Sequence, residues 1–344
     1  MLQLINHTPF AASLSVFADA DGVESAYAIV KASFQLHTNG LVLAEQQVPL
    51  IATDLYWDDP LTSSIRYPGE FCLPKPATDV LLMGHAYAPR DNIRLAEASL
   101  RLGSISKTLH VFGNRQWQNT ARGWEASTPE VWQRMPLRWE LAFGGVAPQT
   151  DDQPPIFEPS NPIGRGFLGR HDKTWAGSPL PNIENPAQLI KQPSDKPQPA
   201  CFAAIAPAWL ARSQYAGTYD AHWQQHRAPY LPKDFDSRYL LTAPSDQIVP
   251  GYLQGGEVVE ITGCSPHGVL RFQLPVCSLA LVFNFDGKPI TYRPKLETVL
   301  LEPDMLRVQL QWRAGMPVDK HLLKLKEVAI HCREYRKSAS EVAA

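Results

Sequence analysis

The chain has 344 residues, enough for one large domain or two small ones, and its formal charge of −2 balances 32 Lys and Arg against 34 Asp and Glu. With no basic run, that balance argues against a nucleic-acid binder built on phosphate contacts and against a polybasic membrane-surface protein. Charged residues make up only 19% and Pro numbers 31, so short strands joined by ordered loops are favoured over a helical bundle.

The first 120 residues read as strands. Residues 2–8, 11–19 and 25–38 alternate apolar and polar side chains with period two, separated by Pro9 and by the turn Ala20-Asp21-Gly22. In the third of these, Ile29, Ala32, Phe34 and Leu36 interleave with Lys31, Ser33, Gln35 and His37, which predicts one apolar and one wet sheet face. Residues 79–87, 93–102 and 106–112 continue the pattern, with Gly103-Ser104 as a tight hairpin. Short strands punctuated this often predict an antiparallel sandwich.

From Pro148 to Pro250 the chain is rich in Pro, Gly, Asn and Asp, an irregular stretch of a length that is uncommon inside a compact domain. Trp175, Phe202, Trp209, Tyr215, Tyr219, Trp223, Tyr230, Phe235 and Tyr239 supply anchoring apolar area, so order is expected, except in a mobile loop at 191–199. Short helices are predicted at 207–214 and 219–226. Strands return at 257–262, 268–274, 279–285, 298–302 and 306–313, with turns at Gly255-Gly256, Ser265-Pro266 and Asp286-Gly287. Residues 322–333 read equally as strand or helix.

The expected fold is thus mainly β. An antiparallel β-sandwich-type body is built from the N-terminal (1–147) and C-terminal (251–335) regions, packed into one unit. A loop-rich segment with a few short helices (148–250) lies between them, and a flexible tail follows at 336–344. The first twenty residues lack the charged and apolar regions of a signal peptide, and no apolar run is long enough to span a membrane, which predicts a cytoplasmic protein. Cys72, Cys201, Cys264, Cys277 and Cys332 are odd in number and scattered, and read as small reduced thiols. Cys264 and Cys277 with His267 give only three zinc ligands at unsuitable spacing, so no metal is expected.

Other candidate chemistry is weak. His222 and His226 share a helix face as in zinc proteases, but Trp223 stands where that motif needs Glu. Asp58-Asp59, Asp151-Asp152 and Asp234 with Asp236 could serve a glycosidase only if folding brought two carboxylates together. Neither Gly103-Ser104 nor Gly177-Ser178 has the strand–elbow–helix setting of a nucleophile. Asn161-Pro-Ile-Gly164-Arg165-Gly166-Phe167 lacks the Lys-Ser/Thr of a phosphate loop; its glycines suit close backbone approach, and Arg165 is expected to stack on an aromatic ring or pair with a buried carboxylate. On an extended segment Asp234, Asp236 and Arg238 would share a face, pinning the loop or contacting a partner.

Taken together, Asn161 to Phe167, Leu180-Pro-Asn182-Ile-Glu184, Arg227 to Asp236, Leu253-Gln-Gly-Gly-Glu257, Asn6 to Phe10 and Trp139 to Gly145 resemble a bacterial domain-of-unknown-function family of type VI secretion gene clusters. Members lie beside VgrG and PAAR spike proteins and toxic effectors. The resemblance covers nearly the whole chain and implies a non-enzymatic adaptor or chaperone, without cofactor, that holds a secreted effector and helps load it onto the spike. It brings no catalytic residues. The candidate partner-binding or motif residues are Arg165, Trp175, Asn182, Trp223, Tyr230, Asp234, Asp236 and Arg238. A rigid β body carrying an aromatic, Pro-stiffened surface suits such a role, and edge strands could accept a strand from the client. The alternative is a carbohydrate-active hydrolase or carbohydrate-binding β-sandwich using Asp or Glu and exposed Trp.

Overall fold

A computed structural model describes residues 2–38, 40–147, 154–169 and 175–336. The pair Asp151-Asp152 and all but the first residue of the expected tail lie outside them. The chain is mainly β and its strands form three principal sheets. The seven-stranded sheet runs Ile248–Val249, Thr78–Leu82, Lys295–Glu302, Arg307–Pro317, Glu24–His37, Ala11–Ala18, with Gly40–Leu43 also paired to Glu24–His37. A five-stranded sheet runs Ile183–Glu184, Ile105–Phe112, Leu95–Leu102, Val258–Thr262, Leu270–Gln273. A four-stranded sheet runs Gln3–Asn6, Leu325–Arg336, Val276–Phe285, Lys288–Tyr292. Apolar residues of all three, among them Val30, Leu310, Leu100, Val259, Leu281 and Val328, close on a common core.

Strands from the two ends of the chain therefore alternate within the same sheets. Most pairs are antiparallel, as the alternation predicts, but Gln3–Asn6 runs parallel to Leu325–Arg336 and Thr78–Leu82 parallel to Lys295–Glu302. The ambiguous 322–333 segment becomes a short 3-10 turn and then a strand, because Leu325, Val328 and Ile330 all reach the core. Among the described residues no helix is long and apolar enough to cross a membrane.

One expectation fails on the central strand Glu24–His37. Its polar face is wet only toward its end, where Gln35 is half-buried and His37 exposed: Lys31 is 2% exposed and Ser33 is fully buried. The chain between Leu43 and Lys75 lies over that face and satisfies it. Lys31 Nζ meets Glu70 Oε1 at 2.9 Å and donates to the Pro49 carbonyl, while the Gln47 side-chain amide bonds both backbone groups of Ser33. Beside them Arg313 pairs with Glu297 at 2.7 Å, Lys75 with Asp79 at 2.8 Å, and Gln309 donates to Glu302 at 2.6 Å. The sheet thus has an apolar core on one face and a network of buried charge on the other. The Gln309 Oε1 and Gln311 Nε2 atoms find no partner among the described residues, beside a cavity of about 20 Å³ with room for one water.

Residues 79–87 are not one strand. The chain leaves the seven-stranded sheet after Leu82, and His85–Tyr87 pairs with Arg134–Pro136. At the break Gly84 faces the Asp304 carboxylate. His85 Nδ1 lies 2.6 Å from Asp304 Oδ2, the Tyr87 hydroxyl donates to Oδ1 at 3.0 Å, and Arg134 stands at 3.4 Å. Burial pushes the Asp304 carboxyl up, but the hydrogen bonds from His85 and Tyr87 and the neighbouring positive charge outweigh it and hold the group below its ordinary value. A depressed carboxylate stabilises the fold above its unfolded-state pKa of about 3.9, and that contribution is lost as pH falls through the lower folded value. The stability gap between the parent and Asp304→Asn in urea titrations is therefore expected to narrow from about pH 5 to about pH 3. A gap that stays constant over that range would remove Asp304 as the clamp.

Candidate functional site

Two of the motifs fold against one another. Phe143–Gly144 runs parallel to Arg165–Gly166, and the chains touch backbone to backbone. A Cβ at Gly144 would sit 2.1 Å from the Asn161 carbonyl oxygen, and one at Gly145 would sit 2.2 Å from that of Gly164. Only glycine permits this approach, and both residues take positive φ. Asn161, fully buried, donates from Nδ2 to the carbonyls of Trp139 (2.9 Å) and Phe143 (2.8 Å). Arg165 donates to the Glu140 carbonyl and to Asn182 Oδ1, both at 3.0 Å. Asn182, also buried, donates on to the Phe112 carbonyl and Asn114. This clasp ties 139–145 to 161–167 and to the edge of the five-stranded sheet.

The clasp fixes Trp139, whose Nε1 donates to the carbonyls of Ala203 and Ala204 and whose ring meets Trp209 edge-on at 5.7 Å. Trp139 lines a cleft of about 590 Å³ with Lys107, Leu210, Arg212, Tyr215 and Arg238. Lys107 Nζ donates to the Cys201 carbonyl, Asp246 and Gln247, all within 2.8 Å. Burial lowers its pKa against the pull of Asp246. The Cys201 thiol, pushed up to about 12 by burial, is no nucleophile at neutral pH. Arg212 belongs to the one-turn helix α1 (Leu210–Ser213); its Nε and Nη1 donate to the carbonyls of Tyr239 and Ile205, and burial lowers its pKa as well.

From the rim of the cleft the chain makes an excursion, closed at its neck where the Asp236 amide donates to the Tyr215 carbonyl. It carries the helix α2 (Ala221–His226), capped by Asp220, whose side chain accepts from the Trp223 amide. Trp223 Nε1 donates to the Tyr230 carbonyl and Tyr219 lies edge-on at 4.7 Å, while the Tyr230 ring packs over Gly22 in a neighbouring hairpin turn. Tyr219 (53%), Leu210 (45%) and Tyr230 (44%) remain exposed. The result is an exposed aromatic patch on a loop that joins the cleft at its neck residues Tyr215 and Arg238.

Residues 21–313 match the family described as "Uncharacterized protein conserved in bacteria (DUF2169)". The chain belongs to this family. The comparisons match no curated protein and no solved structure. The DUF2169 match contains the clasp, the cleft and the excursion whole.

The structure divides the eight residues singled out in this DUF2169 chain into two groups. Arg165 and Asn182 are clasp residues, and Trp175 packs edge-on against Trp124 at 5.6 Å in the small core beneath them. Among the described residues Arg165 has neither an aromatic ring to stack on nor a carboxylate to pair with, the Glu140 carboxylate being taken by the Ser64 amide and hydroxyl. Trp223, Tyr230, Asp234, Asp236 and Arg238 all lie on the excursion or at its neck. The last three are not on one extended face. Asp236 heads the 3-10 turn Ser237–Leu240 and pairs with Arg238, which stacks over Tyr215 at 4.2 Å, whereas Asp234 turns to the amide and hydroxyl of Thr218. His222 and His226 do share a helix face, their rings stacked at 4.5 Å; among the described residues no group of three or more His, Cys, Asp and Glu is placed to hold a metal. Helix α1 starts three residues later than its predicted span, after the turn made by Pro207.

Sequence reasoning missed Lys107, Leu210, Arg212 and Tyr215. Lys107 had a readable signal: on Ile105–Phe112 it shares the inward phase of Ile105, Leu109 and Val111, where a cation must find acceptors. Arg212 had none, since the loops that enclose it are irregular.

Proposed function

We propose that this DUF2169 protein is a non-enzymatic adaptor of bacterial type VI secretion, acting in the cytoplasm to hold an effector and load it, directly or through a PAAR protein, onto the VgrG spike. The observation that carries the reading is the exposed aromatic excursion, with Tyr219 and Tyr230 on a backbone pinned by Asp220, Asp234 and Asp236, whose neck residues Tyr215 and Arg238 line, with the exposed Leu210, a cleft of about 590 Å³. Rings held ready on a stiff frame lose little entropy when a partner covers them. The edge strand Ala11–Ala18, with no charge and no Pro in its eight residues, offers a second place for a client strand.

The test is co-expression of the tagged protein with the effector and spike genes beside its own. Stable co-purification of an effector is expected, and Tyr219→Ala with Leu210→Ser is expected to weaken it by about tenfold or more while the unfolding midpoint stays put. Trp223→Ala is a poorer probe, because that ring holds the excursion together. Failure of the parent protein to retain any effector or spike product would overturn the adaptor reading.

A further inference from the structure

Among the described residues five Lys and Arg side chains are buried, and four of them meet a carboxylate: Lys31 with Glu70, Lys75 with Asp79, Lys107 with Asp246 and Arg313 with Glu297. Arg212 is the exception. It is 9% exposed, it makes no ion pair with a described residue, and its hydrogen bonds are to the backbone carbonyls of Ile205 and Tyr239. Those carbonyls and the Tyr239 ring, 5.2 Å from the guanidinium, fix its plane, and its Nη2 donates to no described residue. The Asp54 and Asp79 carboxylates act on it only from beyond ion-pair distance, and burial outweighs them. A buried charge with no carboxylate in contact is expensive, so chains seldom keep it unless something else completes it.

We infer that Arg212 anchors a carboxylate of an acidic peptide segment lying extended in the cleft. Arg212 lines that cleft with Lys107 and Arg238; Asp246 pairs with Lys107 and Asp236 with Arg238, so Arg212 is the cation of the lining that no carboxylate meets among the described residues. A guanidinium held in a fixed plane suits the two oxygens of a carboxylate. Leu210, Ala211, Leu241 and Ile248 offer apolar contact for the side chains that alternate with the acidic ones along an extended strand. The inference rests on the adaptor reading only for the origin of the peptide, a segment of the client.

The test is fluorescence anisotropy with a labelled, C-terminally amidated hexapeptide of alternating Leu and Glu, its Leu and Gln counterpart, and that counterpart with a free C-terminus. The Glu peptide is expected to bind about tenfold tighter than the amidated Gln peptide, with the difference shrinking at high salt. Tighter binding restored by the free C-terminus would place the chain end on Arg212; its failure to do so would place an acidic side chain there. Arg212→Gln should abolish the preference. Because Arg212 also ties two loops, Ala211→Glu serves as a second variant: it adds a carboxylate at a half-buried cleft position and should weaken the Glu peptide more than the Gln one. Equal binding of the amidated Glu and Gln peptides, no binding of either, or an Ala211→Glu protein that keeps the preference would overturn the inference. A protein that retains its effector yet shows no preference loses only the anchor. One that prefers the Glu peptide yet retains no effector loses only the adaptor role.

Discussion

Replacing Arg313 by Ala is expected to destabilise the fold by about 3–5 kcal/mol, the usual consequence of leaving a buried charge without its partner. Arg313 is fully buried in the strand Arg307–Pro317, and Glu297, 2% exposed, faces it from the neighbouring strand Lys295–Glu302 at 2.7 Å. The guanidinium also donates to the carbonyls of Cys72 and Glu70, so it stitches the covering segment onto the sheet. Burial pushes the Glu297 carboxyl up, and Arg313 and Lys75 pull it back. Without Arg313 the carboxylate is left facing a desolvated sheet, and two carbonyls lose their donor. A double replacement, Arg313→Met with Glu297→Leu, removes both charges and fills similar volume. It is expected to recover about half of the loss, since apolar exchange of a buried pair is often neutral but the orphaned carbonyls of residues 70 and 72 remain. Equilibrium unfolding in urea reads both. If the double variant is no more stable than Arg313→Ala alone, the pair acts by geometry that apolar packing cannot replace.

The same face explains which parts of the fold the sequence carries openly. Alternation located the long strands because a half-buried strand must alternate, and Asp286-Gly287 marked its hairpin because both residues need positive φ, which they adopt at 53° and 76°. Alternation on Glu24–His37 was equally correct about which residues share a face, yet it could not say what covers Lys31 and Ser33. That depends on Glu70 and Gln47, which are distant in sequence and lie on irregular chain. The site was legible in a similar proportion. The glycines of the Asn161–Phe167 motif pointed to close backbone approach, and Gly164 and Gly166 make it, whereas nothing singled out Gly144 and Gly145 for the same contact. The cleft was not legible, because its walls come from 105–112, 198–215 and 238–248 together with Trp139, Ser160 and Asn185, and only the folded chain brings Lys107, Arg212 and Arg238 around one volume.

Asn161→Ala is expected to destabilise the protein by about 2–4 kcal/mol, since the Phe143 carbonyl loses its donor, at about 1–3 kcal/mol, and the Trp139 carbonyl keeps the Ala142 amide but loses one of its two hydrogen bonds, at about 0.5–1.5 kcal/mol. Asn161→Asp, nearly the same shape, should be no better, because a carboxylate cannot donate where Nδ2 does and would bring charge into a fully buried position. Gly144→Ala attacks the same contact from the other side, with a Cβ that would stand 2.1 Å from the Asn161 carbonyl oxygen at a φ of 142°. Thermal unfolding separates these variants from Thr218→Ala, which loosens only the exposed neck of the excursion by releasing the side-chain bond to Asp234. The clasp also sets the position of Trp139, and Trp139 is part of the cleft surface, so stability and binding are coupled through one ring. At a temperature where Asn161→Ala is still folded, it should bind the amidated Glu peptide more weakly than the parent while keeping its preference over the Gln peptide, because Arg212 is untouched. Unchanged affinity in that variant would mean that the cleft floor is held by Trp209, Ala203 and Ala204 alone, and that the clasp serves the fold without serving the site.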